Sequence, residues 1–327
     1  MIEVRENVSL APYTYIKVGG PARFFVEVKT EKELREAIVW TDKKNTPMVV
    51  LGAGSNVLVA DAGFDGLVIR MGINTISIEE NVMCVGAGVS MAQAATEALK
   101  QNLSGFEWAA GIPGTIGGSV YGNAGCFGGE MQQVLERVRV LECKVQSAKC
   151  KIVEFQNTDC KFWYRESVFK KHKDWIILGA TLKLKKISDE EKKEKQAWIK
   201  TMMQERVAEQ AIGERTMGST FKSISITDKT LQKITQYDKR FRKPTNTCWV
   251  FENRAGMMSA GFLIEQAGLK EKKIGGVTVS TKHANFLVTD ASATAEHVIM
   301  LIALIKERVH RMFGVMLEEE IQYIGFD

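Results

Sequence analysis

The chain has 327 residues, enough for about two domains, with 45% apolar and 25% charged residues and a formal net charge of +5. Its basic residues gather in small clusters at 170–173, 192–195 and 239–243, which falls short of a nucleic-acid-binding stripe and suits an anionic small molecule. The apolar run Val298–Ile305 is too short to cross a bilayer, the N-terminus lacks a signal-peptide layout, and six cysteines without a C-x-x-C pair read as reduced thiols. The expectation is a cytoplasmic protein that binds neither nucleic acid nor membrane.

In chain order, Gly19–Gly20–Pro21 forms a turn and Ala22–Val28 alternates as a strand. Thr30 is the N-cap of a helix running to Lys44, with Leu34, Ala37, Ile38 and Trp40 at helical spacing. The strand Met48–Leu51 runs into Gly52–Ala53–Gly54–Ser55–Asn56. A strand followed by G-x-G suggests a Rossmann unit, but that unit needs a third glycine and a helix opening on the phosphate. Here Val57–Asp61 reads as another strand, so the loop is either a plain turn or a backbone anion nest without a helix dipole. Strands at 67–70, 75–78 and 83–85 follow, then a helix from Ser90 to about Asn102.

The next stretch, Gly105 to Met131, holds nine of the chain's 28 glycines among residues a protein buries: Phe106, Trp108, Ile112, Ile116, Val120, Tyr121 and Phe127. Glycine permits positive φ and close approach of another group. The segment is therefore either a run of buried tight turns or the wall of a cofactor site, folded against something large and flat. Strands at 134–143, 151–155 and 175–185 come after it. Ser188–Gln210 reads as a charged hinge helix with Trp198, Ile199, Met202 and Val207 inward. Beyond it lie MGSTFKS (217–223), a basic aromatic segment to about Arg254, a helix near 259–267, a Gly275–Gly276 turn, the run SxKHANFLV, a last helix Ala295–Phe313 and a strand at 320–324.

These pieces together resemble the UDP-N-acetylmuramate dehydrogenase (UDP-N-acetylenolpyruvoylglucosamine reductase) family. The matching segments are VGGPARFFVEV, LGAGSNVLVADAGFDGLVI, GIPGTIGGSVYGNAG, CKFWYRESVFK, GSTFK, AGFLIEQAGLK, SxKHANF and FGVMLEEEIQYIG, in the family's order and over nearly the whole chain. The resemblance implies an α+β protein: a two-subdomain FAD-binding fold of the vanillyl-alcohol-oxidase type (1–72 and 73–205) plus a C-terminal α+β substrate domain (206–327). It also implies non-covalent FAD, NADPH as co-substrate, and reduction of the enolpyruvyl ether of a UDP-sugar for peptidoglycan synthesis by a monomer.

By the same resemblance the pyrophosphate falls to Gly52, Gly54, Ser55 and Asn56, and the flavin and ribityl chain to Ile112, Pro113, Gly114, Gly117, Gly118 and Ser119, with Tyr15, Val18 and Gly19 as lesser candidates. Ser219 matches the family's proton donor. Arg165 would hold the substrate carboxylate, a role for which a planar guanidinium is suited. The aromatic residues around it, Phe162, Trp163, Tyr164 and Phe169, imply a partly buried position. Glu320, selected from Glu318–Glu319–Glu320 by the flanking Leu317 and Ile321, would hydrogen-bond the enolate side. Tyr164, Lys222 and Ser223 are the substrate-binding candidates, and the four scattered histidines give no metal motif.

The chain departs from the family at Ser223, where an asparagine is expected, at Glu319, where a proline is expected, and in the extra piece 225–254, which reads as a surface insertion. Two rivals follow: a flavin oxidase of the same fold, with Cys126 but no histidine in the glycine stretch for a covalent tether, and a UDP-sugar-binding paralogue without turnover.

Overall fold

The sequence closes its first helix locally. Thr30 accepts a hydrogen bond from the Glu33 amide while the Glu33 carboxylate accepts from the Thr30 and Lys29 amides, a reciprocal capping box at the start of Glu31–Lys44. At the other end Asn45 stops the helix in the left-handed conformation, φ 47°. Thr294 and His297 form the same reciprocal box at the start of Ala295–Phe313, and the Ser90 hydroxyl caps Met91–Lys100 by accepting from the Gln93 amide.

The computed structural model describes residues 2–144, 149–225 and 257–326 and divides the chain into two units. The first comprises 1–9, 21–54 and 63–205, the second 10–20, 55–62 and 206–327. The expected reading of the segment 225–254 lies almost wholly outside the described residues.

Unit 1 holds two sheets. In one, Pro21–Val28 lies between Arg5–Ser9 (antiparallel) and Phe64–Met71 (parallel), and Phe64–Met71 pairs onward with Met48–Leu51, also parallel. The other is antiparallel in the order Lys149–Gln156, Leu135–Lys144, Trp175–Lys183, Val82–Gly86, Ile76–Glu79. One continuous core draws on both, including Val26, Leu67 and Ile69 from the first and Val85, Val138, Val140 and Leu182 from the second. Trp175–Lys183 is buried at seven successive positions, as its unbroken apolar run requires.

Two expectations are corrected here. Cys143 and Cys150 stand directly opposite each other across the hairpin Leu135–Lys144/Lys149–Gln156 and are joined by a disulfide. The reduced-thiol reading misses this because pairing depends on hairpin register, which spacing alone does not reveal. Cys84, Cys126 and Cys160 are not disulfide-bonded. In the charged helix Asp189–Glu209, Met202 is buried as expected, but Trp198 and Val207 are 40% and 49% exposed. Trp198 meets the Phe127 ring edge-on at 6.5 Å, so its apolar surface is covered by one partner rather than by a core.

Unit 2 is built on an antiparallel sheet in the order Thr216–Ser219, Phe286–Thr289, Val277–Val279, Lys273–Ile274, with the helices Ala260–Gln266 and Ala295–Phe313. Val298, Leu301, Ile302, Ile305 and Val309 turn inward from the last helix. The short strand Val57–Val59 pairs in parallel with Gln322–Ile324. That pairing answers the Rossmann question: the glycine loop at 52–56 leads into a strand, with no helix opening on it.

Asp61, just after Val57–Val59, accepts hydrogen bonds from the Ala295 and Glu296 amides at 2.8 and 2.9 Å, the first donors of the last helix. A carboxylate there satisfies two amides and complements the positive end of the helix dipole. Asp61→Ala is expected to lower stability by about 1–2 kcal/mol, read as a fall in the urea midpoint at unchanged slope.

Candidate active site

The glycine stretch consists of a 3₁₀ turn Glu107–Gly111, the six-residue helix Ile116–Tyr121 capped by Thr115, and a tight pairing of Gly125–Cys126 with Gly129–Glu130. Its glycines divide by what they face. A Cβ on Gly129 would collide with the Trp108 ring, and one on Gly117 would stand 2.9 Å from Ala87 Cβ. These two glycines serve internal packing, and one large flat neighbour of the stretch is its own tryptophan. Gly118 differs: a Cβ there would meet only Thr115 Oγ1, at 3.6 Å. Ser119 is buried, while Ile112 is half-buried and Pro113 exposed.

Thr115 links the two expected cofactor segments within unit 1. Its hydroxyl accepts from the Gly118 amide, and a Cβ on Gly52 would stand 2.7 Å from the same oxygen. The Gly52 loop therefore lies against the N-terminal end of the helix Ile116–Tyr121. The Ile116 and Gly117 amides already donate to Val89 and Ala87 carbonyls, so this helix end is a wall rather than an anion site. Gly54 takes φ 69°. Ser55 and Asn56 belong to unit 2.

Three hydrogen bonds fasten the Arg165 turn to the glycine stretch. Asn123, fully buried, donates from Nδ2 to the Trp163 carbonyl at 3.0 Å; Arg165 Nη2 donates to the Gly125 carbonyl at 3.0 Å; Ser167 Oγ donates to the Tyr121 carbonyl at 2.6 Å. Trp163 and Glu166 exchange main-chain hydrogen bonds, leaving Tyr164 and Arg165 as the two central residues of the turn. Arg165 adopts φ 57°, a conformation that costs a non-glycine residue about 1 kcal/mol, and its guanidinium lies 5.2 Å from the Tyr164 ring centroid. Arg165 and Tyr164 are half-buried and Phe169 is buried, as expected, but Trp163 is 76% exposed. Its ring points away from the core because the turn directs it outward.

In unit 2, the segment that continues from Ser219 pairs main chain directly with the segment that carries Glu320. Ser219 pairs with Phe286, and Gly218 before it takes φ 77° with nothing within 4 Å of a built Cβ, so its glycine is required by conformation rather than by space. On the far edge of Ser219–Lys222, the Glu320 amide donates to the Thr220 carbonyl and the Lys222 amide to the Glu318 carbonyl, both at 2.8 Å. Asn56 Nδ2 donates to the Glu320 carbonyl at 3.1 Å, which brings this expected pyrophosphate residue to the backbone of an expected catalytic one.

Glu319 pairs main chain with Phe221, and neither bond of that bridge uses the Glu319 amide. A proline at this position would therefore forfeit no hydrogen bond of the bridge. The side chains of Glu318 and Glu319 are held by Lys222 at 2.5 Å and Lys306 at 2.8 Å. Lys222, an expected substrate ligand, thus carries an internal partner, and Ser223 is half-buried beside it.

The comparisons with known proteins now bear on this arrangement. Residues 210–324 match the UDP-N-acetylenolpyruvoylglucosamine reductase C-terminal domain and residues 22–155 match an FAD binding domain. The UDP-N-acetylenolpyruvoylglucosamine reductase of Solibacter usitatus is 35% identical over 324 residues, covering 99% of this chain and 97% of that one. The chain belongs to the UDP-N-acetylenolpyruvoylglucosamine reductase family. The reductase of Anoxybacillus flavithermus is also 35% identical, with 98% and 94% covered. A crystal structure of the Thermus caldophilus family member, 30% identical, matches with a TM-score of 0.74 over 99% of this chain and 100% of that one. As a member of the family, the chain is an FAD-dependent oxidoreductase with the expected α+β fold and an FAD binding domain.

The residues present fit that cofactor. The open side of Gly118, next to the Gly52–Thr115 contact, leaves room for a flat group where any larger side chain would stand. Sequence reasoning missed Asn123 and Thr115; the usable signals were a buried-type G-N-A-G turn and a Thr three residues before Gly118, the N-cap spacing. Among the described residues no cluster of His, Cys, Asp or Glu could hold a metal ion.

Burial, and then the Lys270 cation, push the His283 pKa below its usual value, and its Nδ1 accepts from the Asn285 amide. A histidine kept neutral by folding stabilises above its unfolded pKa of about 6.5, and that contribution is lost as pH falls through the lower folded value. His283→Gln should therefore lose less stability than the parent between pH 7 and 5, measured by thermal unfolding.

The division among the glycines gives a second check. Gly118→Leu should leave the apoprotein at least as stable, since glycine in a helix costs about 0.5–1 kcal/mol, yet lower the flavin-to-protein absorbance ratio of the purified protein. Gly117→Ala, crowding Ala87, should instead lower stability by about 1–3 kcal/mol.

Proposed function

We propose that this protein reduces UDP-N-acetylglucosamine enolpyruvate to UDP-N-acetylmuramate with NADPH, in the cytoplasmic synthesis of peptidoglycan precursors, as a monomer. The printed names of its relatives supply the substrate, and the shared backbone frame of Ser219 and Glu320 is the observation that carries the reading to this chain. In this reading residues 1–205 carry most of the FAD site and 206–327 the substrate-binding residues.

FAD, bound non-covalently, would supply the hydride chemistry that links NADPH to the enolpyruvyl group. The chain's residues manage charge and the proton. Addition of hydride to the enolpyruvyl group places negative charge on the adjacent carbon and its carboxylate. Arg165, pre-aimed by its turn, binds that carboxylate and favours charge flowing onto it. Ser219 gives its hydroxyl proton to the carbanion and is reprotonated from solvent through Glu320 or water; a serine is a weak acid, so the step depends on alignment rather than acidity. Glu320 takes part in the hydrogen bonding of the enolate side in concert with Arg165. Gly52, Gly54, Ser55 and Asn56 hold the pyrophosphate of the cofactor, and Ile112, Pro113, Gly114, Gly117, Gly118 and Ser119 shape the wall of its ring and ribityl chain. Given the packing at Gly117 and the burial of Ser119, these two contribute through backbone placement. Tyr164, Lys222 and Ser223 bind the UDP-sugar.

A covalently tethered oxidase is the weaker reading. The thiol of Cys126, the only candidate tether in the glycine stretch, donates to the Trp108 carbonyl at 3.3 Å. Denaturation should release the yellow colour.

The deciding experiment is anaerobic reduction with NADPH followed by mixing with UDP-N-acetylglucosamine enolpyruvate. Rapid reoxidation of the flavin is expected, and its absence sinks the reading. Ser219→Ala should leave reduction by NADPH nearly intact and slow reoxidation by about 10²–10⁴; an unchanged reoxidation rate removes Ser219 from the mechanism.

A further inference from the structure

Phe221 is 1% exposed, and its main-chain N–H and C=O face away from the strand that carries Glu318–Glu320. In a regular sheet the next strand would take them. Here the regular pairing of Phe286–Thr289 with Thr216–Ser219 ends at Phe286↔Ser219, one residue short, after a register shift between Thr216 and Ser219. The side chain of Asn285 fills the gap. Its Oδ1 accepts from the Phe221 amide at 3.0 Å and its Nδ2 donates to the Phe221 carbonyl at 2.9 Å, so one carboxamide reproduces the pair of bonds a strand residue would make. The Asn285 carbonyl also accepts from the Thr220 amide at 2.8 Å, and Asn285 is 5% exposed.

We propose that Asn285 is a positioning residue for the proton-transfer step: its carboxamide fixes the register of the segment 219–222, and through that segment it sets Ser219 and Glu320 together. The proposal rests on the roles assigned to Ser219 and Glu320 above. Thr220 and Lys222 carry the bonds to Glu320 and Glu318 on one edge, while Phe221 between them has both polar groups on Asn285 at the other. A shift of the segment by a fraction of a strand repeat would move the Ser219 hydroxyl and the Glu320 backbone as one piece. Asn285 thus holds the edge of the segment that lies opposite Glu318 and Glu320. Asparagine suits the task because it alone offers one donor and one acceptor on a stem short enough to stay in the strand; aspartate sets an oxygen against the Phe221 carbonyl, and glutamine reaches one methylene too far.

The test uses the FAD-loaded full chain with Asn285→Asp and Asn285→Gln, the second covering failure of the first to retain flavin. Flavin reduction by NADPH should stay within about threefold of the parent. The limiting rate of reoxidation by UDP-N-acetylglucosamine enolpyruvate should fall by about 10²-fold, with its half-saturating concentration changed less than about fivefold, because misplacement by about 1 Å costs on this scale. Amide hydrogen exchange should quicken at least about tenfold in peptides covering 217–225 and 316–324 and stay unchanged across Ala295–Phe313. Reoxidation within threefold of the parent, an equal fall in both half-reactions, or unchanged exchange in those two peptides overturns the proposal. If the parent itself is not reoxidised by that substrate, the functional reading falls, while the exchange measurement still decides whether Asn285 sets the register.

Discussion

A main-chain amide removed from water must find a partner, and beside the residues with a proposed chemical role that partner is repeatedly the side chain of an asparagine. Asn123 holds the Trp163 carbonyl, Asn285 holds both polar groups of Phe221, and Asn56 holds the Glu320 carbonyl. Leaving such a group unpaired costs about 1–3 kcal/mol, more than a surface ion pair contributes. Each of these bonds lies within two residues of a side chain with a proposed chemical role: Arg165, Ser219 and Glu320. The residues with a proposed chemical role are thus anchored by backbone satisfaction, which fixes where their side chains start. An arginine held at φ 57° illustrates the consequence, since its turn persists only because flanking hydrogen bonds over-determine it.

The glycine-rich stretch shows the same logic in steric form. Two explanations suggested themselves from the sequence, tight buried turns and a cofactor wall, and both are present at different residues. Gly129 and Gly117 admit Trp108 and Ala87, whereas Gly118 leaves space. Packing the inner glycines tightly gives the short helix Ile116–Tyr121 a fixed place, and a fixed helix makes the open face at Gly118 a defined surface.

Much of this was legible in the sequence, and the exceptions have physical reasons. Caps at Thr30 and Ser90 were readable because capping is local: a hydroxyl three residues from an amide needs no tertiary information. The strand after Asn56 was readable for the same reason, and it disposed of the Rossmann alternative. What failed to show was anything set by register or by what lies across space. The Cys143–Cys150 pair depends on which residues a hairpin places opposite each other. Trp163 and Trp198 looked like core residues by type, yet a turn and a charged helix leave them 76% and 40% exposed. Asn285 was visible as a residue of the SxKHANF run, but its substitution for a strand residue required the register break at Ser219.

The three consecutive glutamates show how such a frame sorts identical groups. Side chains alternate along the strand that bridges Phe221, so neighbours cannot share one environment. Glu318 goes to Lys222 and Glu319 to Lys306, and each lysine cancels charge that would otherwise burden the third acid. The Lys222–Glu318 pair has its carboxylate 71% exposed, so solvent weakens it to about 1 kcal/mol at most.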